Sequence, residues 1–180
     1  MLYFIIFFAK KFNEHFYEWG KKRVKKMETF IAKNEQDTIN FAEKFAKNLK
    51  IGDIVVLTGE LGSGKTKFVQ GVLKHFGIEN EISSPTFTIV NEYNADDVNI
   101  YHFDVYRLED SDEFYAMGGD EYFSNGICLI EWGEMIEDIL PKPYTKITFS
   151  KNNDDVNYRE LKIEKVGDNF NEGTRNWYLF

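Results

Sequence analysis

With 180 residues, 43% of them apolar and 17% aromatic, the chain can bury a core and is too hydrophobic to stay disordered. A net charge of −8 argues against a basic nucleic-acid-binding domain, and a lone cysteine, Cys128, rules out an intrachain disulfide and fits a reducing cytoplasm. The charge is uneven: residues 1–26 hold seven Lys/Arg against two Glu, a net +5, which leaves −13 on the remainder.

The first segment, Leu2–Ala9 (LYFIIFFA), is apolar but too short to cross a bilayer, and its charges follow it rather than precede it as in a signal peptide. A basic tract, Lys21 to Lys26, leads to Met27. The organisation expected is an N-terminal extension over 1–26, upstream of a start at Met27, then one domain over 27–166 and an irregular tail over 167–180. A weak amphipathic membrane contact is the less favoured reading of the extension.

Glu28–Ala32 reads as a short strand. Asn34 with Asp37 caps a helix whose apolar face is Ile39, Ala42, Phe45, Ala46 and Leu49, running to Lys50 and broken by Gly52-Asp53. Ile54–Thr58 is a β-branched run of the kind found in buried parallel strands. Residues Gly59–Thr66, GELGSGKT, then fit G-x-x-x-x-G-K-[ST], and Phe68, Val69, Val72, Leu73 and Phe76 mark one face of a helix starting near Lys65 and ended by Gly77. Strand, glycine loop and helix is the arrangement phosphate binding needs. Gly59, Gly62 and Gly64 let the backbone, with Glu60, Leu61 and Ser63, curl into a cup of N–H donors at a helix N-terminus. Lys65 can reach the β- and γ-phosphates, and the Thr66 hydroxyl can ligate Mg²⁺.

Beyond the loop, the alternation of Thr86–Tyr93 predicts a strand, residues 94–97 a turn, and Val98–Val105 its antiparallel mate. A short helix is expected from Ser111, a strand over Ile127–Glu131, and a helix near Glu134–Leu140 stopped by Pro141 and Pro143. Thr145–Phe149 and Tyr158–Ile163 form a hairpin around residues 152–155. The fold class is α/β: a P-loop NTPase with a central, mostly parallel sheet extended by antiparallel strands, and helices on both faces.

Hydrolysis needs more than a phosphate loop. Glu131 ends an apolar strand, where open α/β sheets form their ligand crevice, and is a candidate second anchor for Mg²⁺ and its waters. Asp104 closes another strand in the same way. Thr86 either senses the γ-phosphate through Mg²⁺ or merely begins a strand. His102 reads as a packed histidine. Arg107 is the single cation among fourteen acids between Glu92 and Asp138, read as a structural partner of a carboxylate rather than a transition-state stabiliser. Cys128 reads as core, and Trp132 packs under the strand end or meets a partner. The acidic stretch is either a solvated face or a docking surface for a basic protein, and it makes direct nucleic-acid binding by the main domain unexpected.

Four segments, GELGSGKT, Ser84-Pro85-Thr86-Phe87, His102-Phe103-Asp104-x-Tyr106-Arg107-Leu108 and Leu129-Ile130-Glu131-Trp132, resemble in order and spacing the TsaE (YjeE) family, the P-loop ATPases of bacterial tRNA threonylcarbamoyladenosine synthesis. The resemblance spans roughly residues 28–164. It implies a Mg²⁺-dependent ATPase acting with a two-subunit threonylcarbamoyl transferase of TsaB and TsaD type. It implies that Lys65 and Thr66 hold phosphate and Mg²⁺, that Asp104 and Glu131 serve the metal and attacking water, and that Thr86 belongs to a nucleotide-sensing loop. Trp132 resembles a residue important for function. The alternatives are a nucleotide-gated interaction module with negligible turnover and a small-molecule kinase; an arginine-rich lid and an N-K-x-D guanine-reading segment are both missing.

Overall fold

The protein, a computed structural model, is described for residues 27–79, 82–152, 155 and 157–167; the expectations for residues 1–26 and for the tail beyond 167 lie outside them. In chain order the elements are β1 (Glu28–Ala32), α1 (Glu35–Ala46), β2 (Ile54–Gly59), α2 (Lys65–His75), β3 (Val90–Ala95), β4 (Val98–Asp104) and α3 (Ser111–Ala116). A 3₁₀ turn at Gly119–Ser124 precedes β5 (Ile127–Glu131), and a second at Gly133–Ile136 precedes β6 (Tyr144–Lys151) and β7 (Arg159–Val166). One sheet holds all seven strands in the order β1-β7-β6-β2-β5-β4-β3. The four central strands, β6, β2, β5 and β4, are parallel, while β3 and the β7–β1 pair add antiparallel edges. Among the described residues no helix is long and apolar enough to cross a membrane.

Both faces of the central strands are covered, which is why β2 and β5 read as unbroken apolar runs. Along β2, Val55 and Leu57 meet α1 and α2, whereas Ile54 and Val56 face Phe114 of α3 and the 3₁₀ turns through Phe123 and Ile136. Cys128 belongs to the second layer and is fully buried. Rings dominate the first layer: Phe68 lies edge-on to Phe45 and Phe149, with centroids 5.4 and 6.0 Å away, and Phe41 stacks on Phe30 at 4.2 Å. Truncating a core ring of this kind to Ala costs ~3–5 kcal/mol. Helices α1 and α2 touch at Gly71, where any Cβ would collide with the Ile39 carbonyl and Ala42.

The expected strands and the first three expected helices form, with altered boundaries, and the last expected helix does not. Asn34 does cap α1, its side chain accepting from the Asp37 N–H at 2.9 Å, but the helix stops at Ala46 rather than Lys50. The strand expected from Thr86 begins only at Val90. Thr86–Ile89 is a turn instead, because the Ile89 N–H donates to the Pro85 carbonyl at 2.7 Å and Ile89 takes a φ of 66°. The turn after β3 is confined to Asp96-Asp97, and the helix expected over Glu134–Leu140 is a single 3₁₀ turn ending at Ile136.

Candidate functional site

The parallel strands end on a common edge, and three adjacent strand ends build the site. β2 runs into the phosphate loop, whose glycines take φ values of 130° (Gly59), 71° (Gly62) and 104° (Gly64). At Gly59 a side chain would strike the Phe149 carbonyl, so the loop leaves the sheet at the one place where β6 leaves no room. β5 ends in Glu131 and β4 in Asp104, and these two acids are register partners on neighbouring strands. Both are buried, at 3% and 5% exposure, which sets them apart from ordinary strand-end surface acids. A cleft of about 250 Å³ joins Leu61 to Thr66 with Ser84, Thr86, Asp104, Glu131 and Trp132.

Lys65 is buried and folds back along the loop, its Nζ donating to the Gly59 carbonyl at 2.7 Å and the Glu60 carbonyl at 3.1 Å. Gly59 and Glu60 therefore contribute backbone oxygens here rather than cleft walls. Burial pulls the Lys65 ammonium below its ordinary value, and the carboxylates of Glu131, Glu134 and Asp104 oppose that shift. The Trp132 ring lies 3.8 Å from the same Nζ and stacks at a tilt on Tyr106, with centroids 4.9 Å apart. Trp132 takes a φ of 62°, a costly conformation for a bulky side chain, while its N–H donates to Leu57 on β2 at 2.9 Å. The strained backbone aims the indole over the lysine instead of continuing β5.

The Thr66 hydroxyl donates to Glu131 Oε1 at 2.8 Å, and His102 Nε2 meets that same oxygen at 2.9 Å. A carboxylate only accepts, so Nε2 carries the hydrogen. His102 is thus packed, as expected, but packed onto a candidate catalytic acid. Its Nδ1 and the Ser63 hydroxyl are buried polar atoms that make no hydrogen bond. Asp104 is held more tightly still: Oδ2 accepts from Ser84 at 2.5 Å and Thr86 at 2.9 Å, and Oδ1 from the Tyr106 N–H at 3.1 Å. Thr86 reaches the site from a turn, not from a strand.

The oxygen set suits a hard cation. Thr66 spends its hydrogen on Glu131 and keeps hydroxyl lone pairs, while Glu131 and Asp104 offer carboxylates. Among the described residues no cluster of three His, Cys, Asp or Glu forms a metal cage.

Arg107 departs from expectation. No carboxylate of the described residues pairs with it; its guanidinium sits 4.7 Å from the ring of Phe87, itself 87% exposed beside the cleft. Ser84 was legible only as a neighbour of Pro85 and Thr86. Lys151 and Arg159, which reach the loop from β6 and β7, carry no sequence signal at all.

The family model described as "Threonylcarbamoyl adenosine biosynthesis protein TsaE" matches residues 32–161. The tRNA threonylcarbamoyladenosine biosynthesis protein TsaE of Bacillus subtilis (strain 168) is 41% identical over 138 residues, 76% of this chain and 85% of that protein. Its counterpart in Rickettsia typhi is 44% identical over 115 residues, 63% of this chain and 80% of that protein. The crystal structure of YdiB from Bacillus subtilis superposes with a TM-score of 0.66 at 34% identity, covering 81% of this chain and 89% of that one.

Proposed function

The chain belongs to the TsaE family of threonylcarbamoyl adenosine biosynthesis proteins, and we propose that it serves that pathway as a Mg²⁺-dependent ATPase acting on the threonylcarbamoyl transferase complex. One observation supports the reading above all: the phosphate-loop hydroxyl of Thr66 bonds Glu131, whose register partner Asp104 faces the same cleft. Bound Mg²⁺ would neutralise charge on the β- and γ-phosphates, with Thr66, Glu131 and Asp104 as the residues that hold it or its waters. The rest of the chemistry belongs to the chain. The loop N–H groups bind phosphate, and Lys65 exchanges two backbone carbonyls for phosphate oxygens. Trp132 shields that ammonium from water, and either acid can take the proton of an attacking water.

A nucleotide-gated module with negligible turnover of its own is the second reading, and one observation favours it. Both candidate bases are already engaged: Glu131 accepts two donors on Oε1 alone, and Asp104 accepts three spread over both of its oxygens, so Asp104 is the more fully occupied of the two. A partner that shifts the Ser84–Thr86 turn would release Asp104. Phosphate release from ATP, measured with Mg²⁺ or with chelator and with or without TsaB and TsaD type subunits, tests both. Turnover that needs Mg²⁺ and rises with the partner is expected. Binding of ATP without hydrolysis under every condition leaves the gated module, and no nucleotide binding at all overturns both.

A further inference from the structure

Five consecutive carbonyls of the phosphate loop, Gly59 to Ser63, each accept a hydrogen bond from a cationic side chain. Lys65 takes Gly59 and Glu60. The other three are held from outside the loop and outside every nucleotide motif: Lys151 Nζ donates to Leu61 at 2.5 Å, and Arg159 donates to Ser63 at 3.1 Å and Gly62 at 3.4 Å. Lys151 closes β6 and Arg159 opens β7, and the two are direct register partners. Like charges in that relationship destabilise an antiparallel pair. Adjacent but separate carbonyl acceptors on the loop offset the repulsion. Lys151 also stands 4.0 Å from the Glu60 carboxylate, while Arg159 spends a further N–H on the Tyr158 carbonyl.

We infer that Lys151 and Arg159 are positioning residues that hold the phosphate cup open for its ligand. In a trans peptide the carbonyl and the following N–H point in opposite directions. Anchoring the oxygens of Leu61 and Ser63 to the hairpin therefore turns the N–H groups of Gly62 and Gly64 away from the hairpin, and both glycines line the cleft. The Ser63 N–H, which follows the third anchored carbonyl, is spent inside the loop on Glu60 at 3.1 Å. Each cation also polarises the peptide it touches, which strengthens the opposite N–H as a donor. The ordering has a further use. Lys65 must leave Gly59 and Glu60 to meet phosphate, whereas the hairpin cations stay in place while it moves. The loop keeps its shape at the moment its own lysine lets go, which lowers the reorganisation cost of binding.

The inference rests on the nucleotide-binding reading of this cleft, and the two fail separately. Calorimetric titration of the full chain with Mg²⁺–ATP and Mg²⁺–ADP would compare wild type with Lys151→Met, Arg159→Met, Lys151→Gln and Arg159→Gln. Each Met variant is expected to weaken nucleotide about tenfold, the scale of one charge-assisted hydrogen bond. Each Gln variant, which loses the charge but keeps an N–H for the carbonyl, should recover the part of that loss that comes from anchoring the carbonyl and not the part that comes from polarising it. A wild type that binds neither nucleotide sinks the nucleotide reading itself. Met variants that bind as wild type, even with a lowered melting temperature, reduce the hairpin contacts to structural ones and overturn the inference. Gln variants as weak as Met variants overturn it too, because the cations would then act by their field on phosphate and not through the carbonyls.

Discussion

His102 Nε2 and Glu131 Oε1 lie 2.9 Å apart with both side chains buried, and the Thr66 hydroxyl shares that oxygen at 2.8 Å. One oxygen of Glu131 is thereby fixed by two protein donors, both of them on Oε1. His102→Phe fills the same space without the donor. It should lower turnover ~10-fold or more while leaving nucleotide affinity within a few-fold, since the loop itself is untouched. His102→Gln, which can place an N–H near the old Nε2, should restore part of the rate. Equal rates in all three proteins would make the histidine a packing residue.

On the proposed ATPase reading, removing the Lys65 ammonium deletes the group that meets developing phosphate charge. Lys65→Ala should cost ~10²–10³ in turnover, by analogy with deleting one preorganised stabilising group, and should weaken nucleotide binding as well. Steady-state hydrolysis checks the first effect and direct titration the second. Unchanged hydrolysis would move the active site away from this loop.

Glu131→Gln keeps the volume of the side chain. Its amide oxygen can still accept from Thr66 and His102, which turns the NH₂ toward the cleft in place of a carboxylate oxygen. The fold and ATP binding should survive, whereas hydrolysis should fall by ~10²-fold or more, because an amide neither accepts a proton nor holds a cation by charge. Normal turnover would transfer the catalytic assignment to Asp104.

Cys128 offers a test of the second core layer. Burial pushes its thiol up to about 12, so at pH 8 only on the order of 10⁻⁴ of it is thiolate in the folded protein. Raised above the unfolded value, this thiol stays protonated through neutral pH and costs no stability there. Iodoacetamide at pH 8 should leave the folded chain unmodified and label it readily in denaturant. Fast labelling without denaturant would show that the 3₁₀ turn at Gly119–Ser124, whose Tyr122 carbonyl receives the thiol, opens freely.

The acids between Glu92 and Asp138 lie on the surface except for Asp104, Glu131 and the half-buried Glu137. Such a face repels RNA phosphate and attracts a basic protein. A chain beginning at Met27 should show no measurable tRNA affinity at low salt, and it should associate with the transferase complex when ATP is present. Reversing Asp112, Glu113 and Asp120 to Lys should weaken that association, most at low ionic strength. Tight tRNA binding, or association indifferent to salt and charge reversal, would overturn this view of the surface.

What was legible in the sequence was legible because it is local. Three glycines, a lysine and a threonine within eight residues, flanked by a β-branched run and a helical face, specify the phosphate loop through contacts a few residues long. The placement of Glu131 and Asp104 at strand ends was readable for the same reason. Their partners were not. Thr66 meets Glu131 across 65 residues, Lys151 meets the loop across 90 and Arg159 across 96, and each contact exists only because β7, β6, β2 and β5 are neighbours in one sheet. Local pattern states that a strand forms and which faces are apolar, but strand order and register are settled by how the whole sheet buries itself between two layers. The Thr86–Ile89 turn shows the same limit from the other side. Its alternation suits a strand, yet the tertiary structure bends it at Ile89 so that Ser84 and Thr86 reach Asp104. The sequence by itself determined that this chain carries a loop of the phosphate-binding pattern between a strand and a helix; the tertiary structure decided which acids, which histidine and which distant cations lie against that loop, because those choices depend on packing that no short window of residues contains.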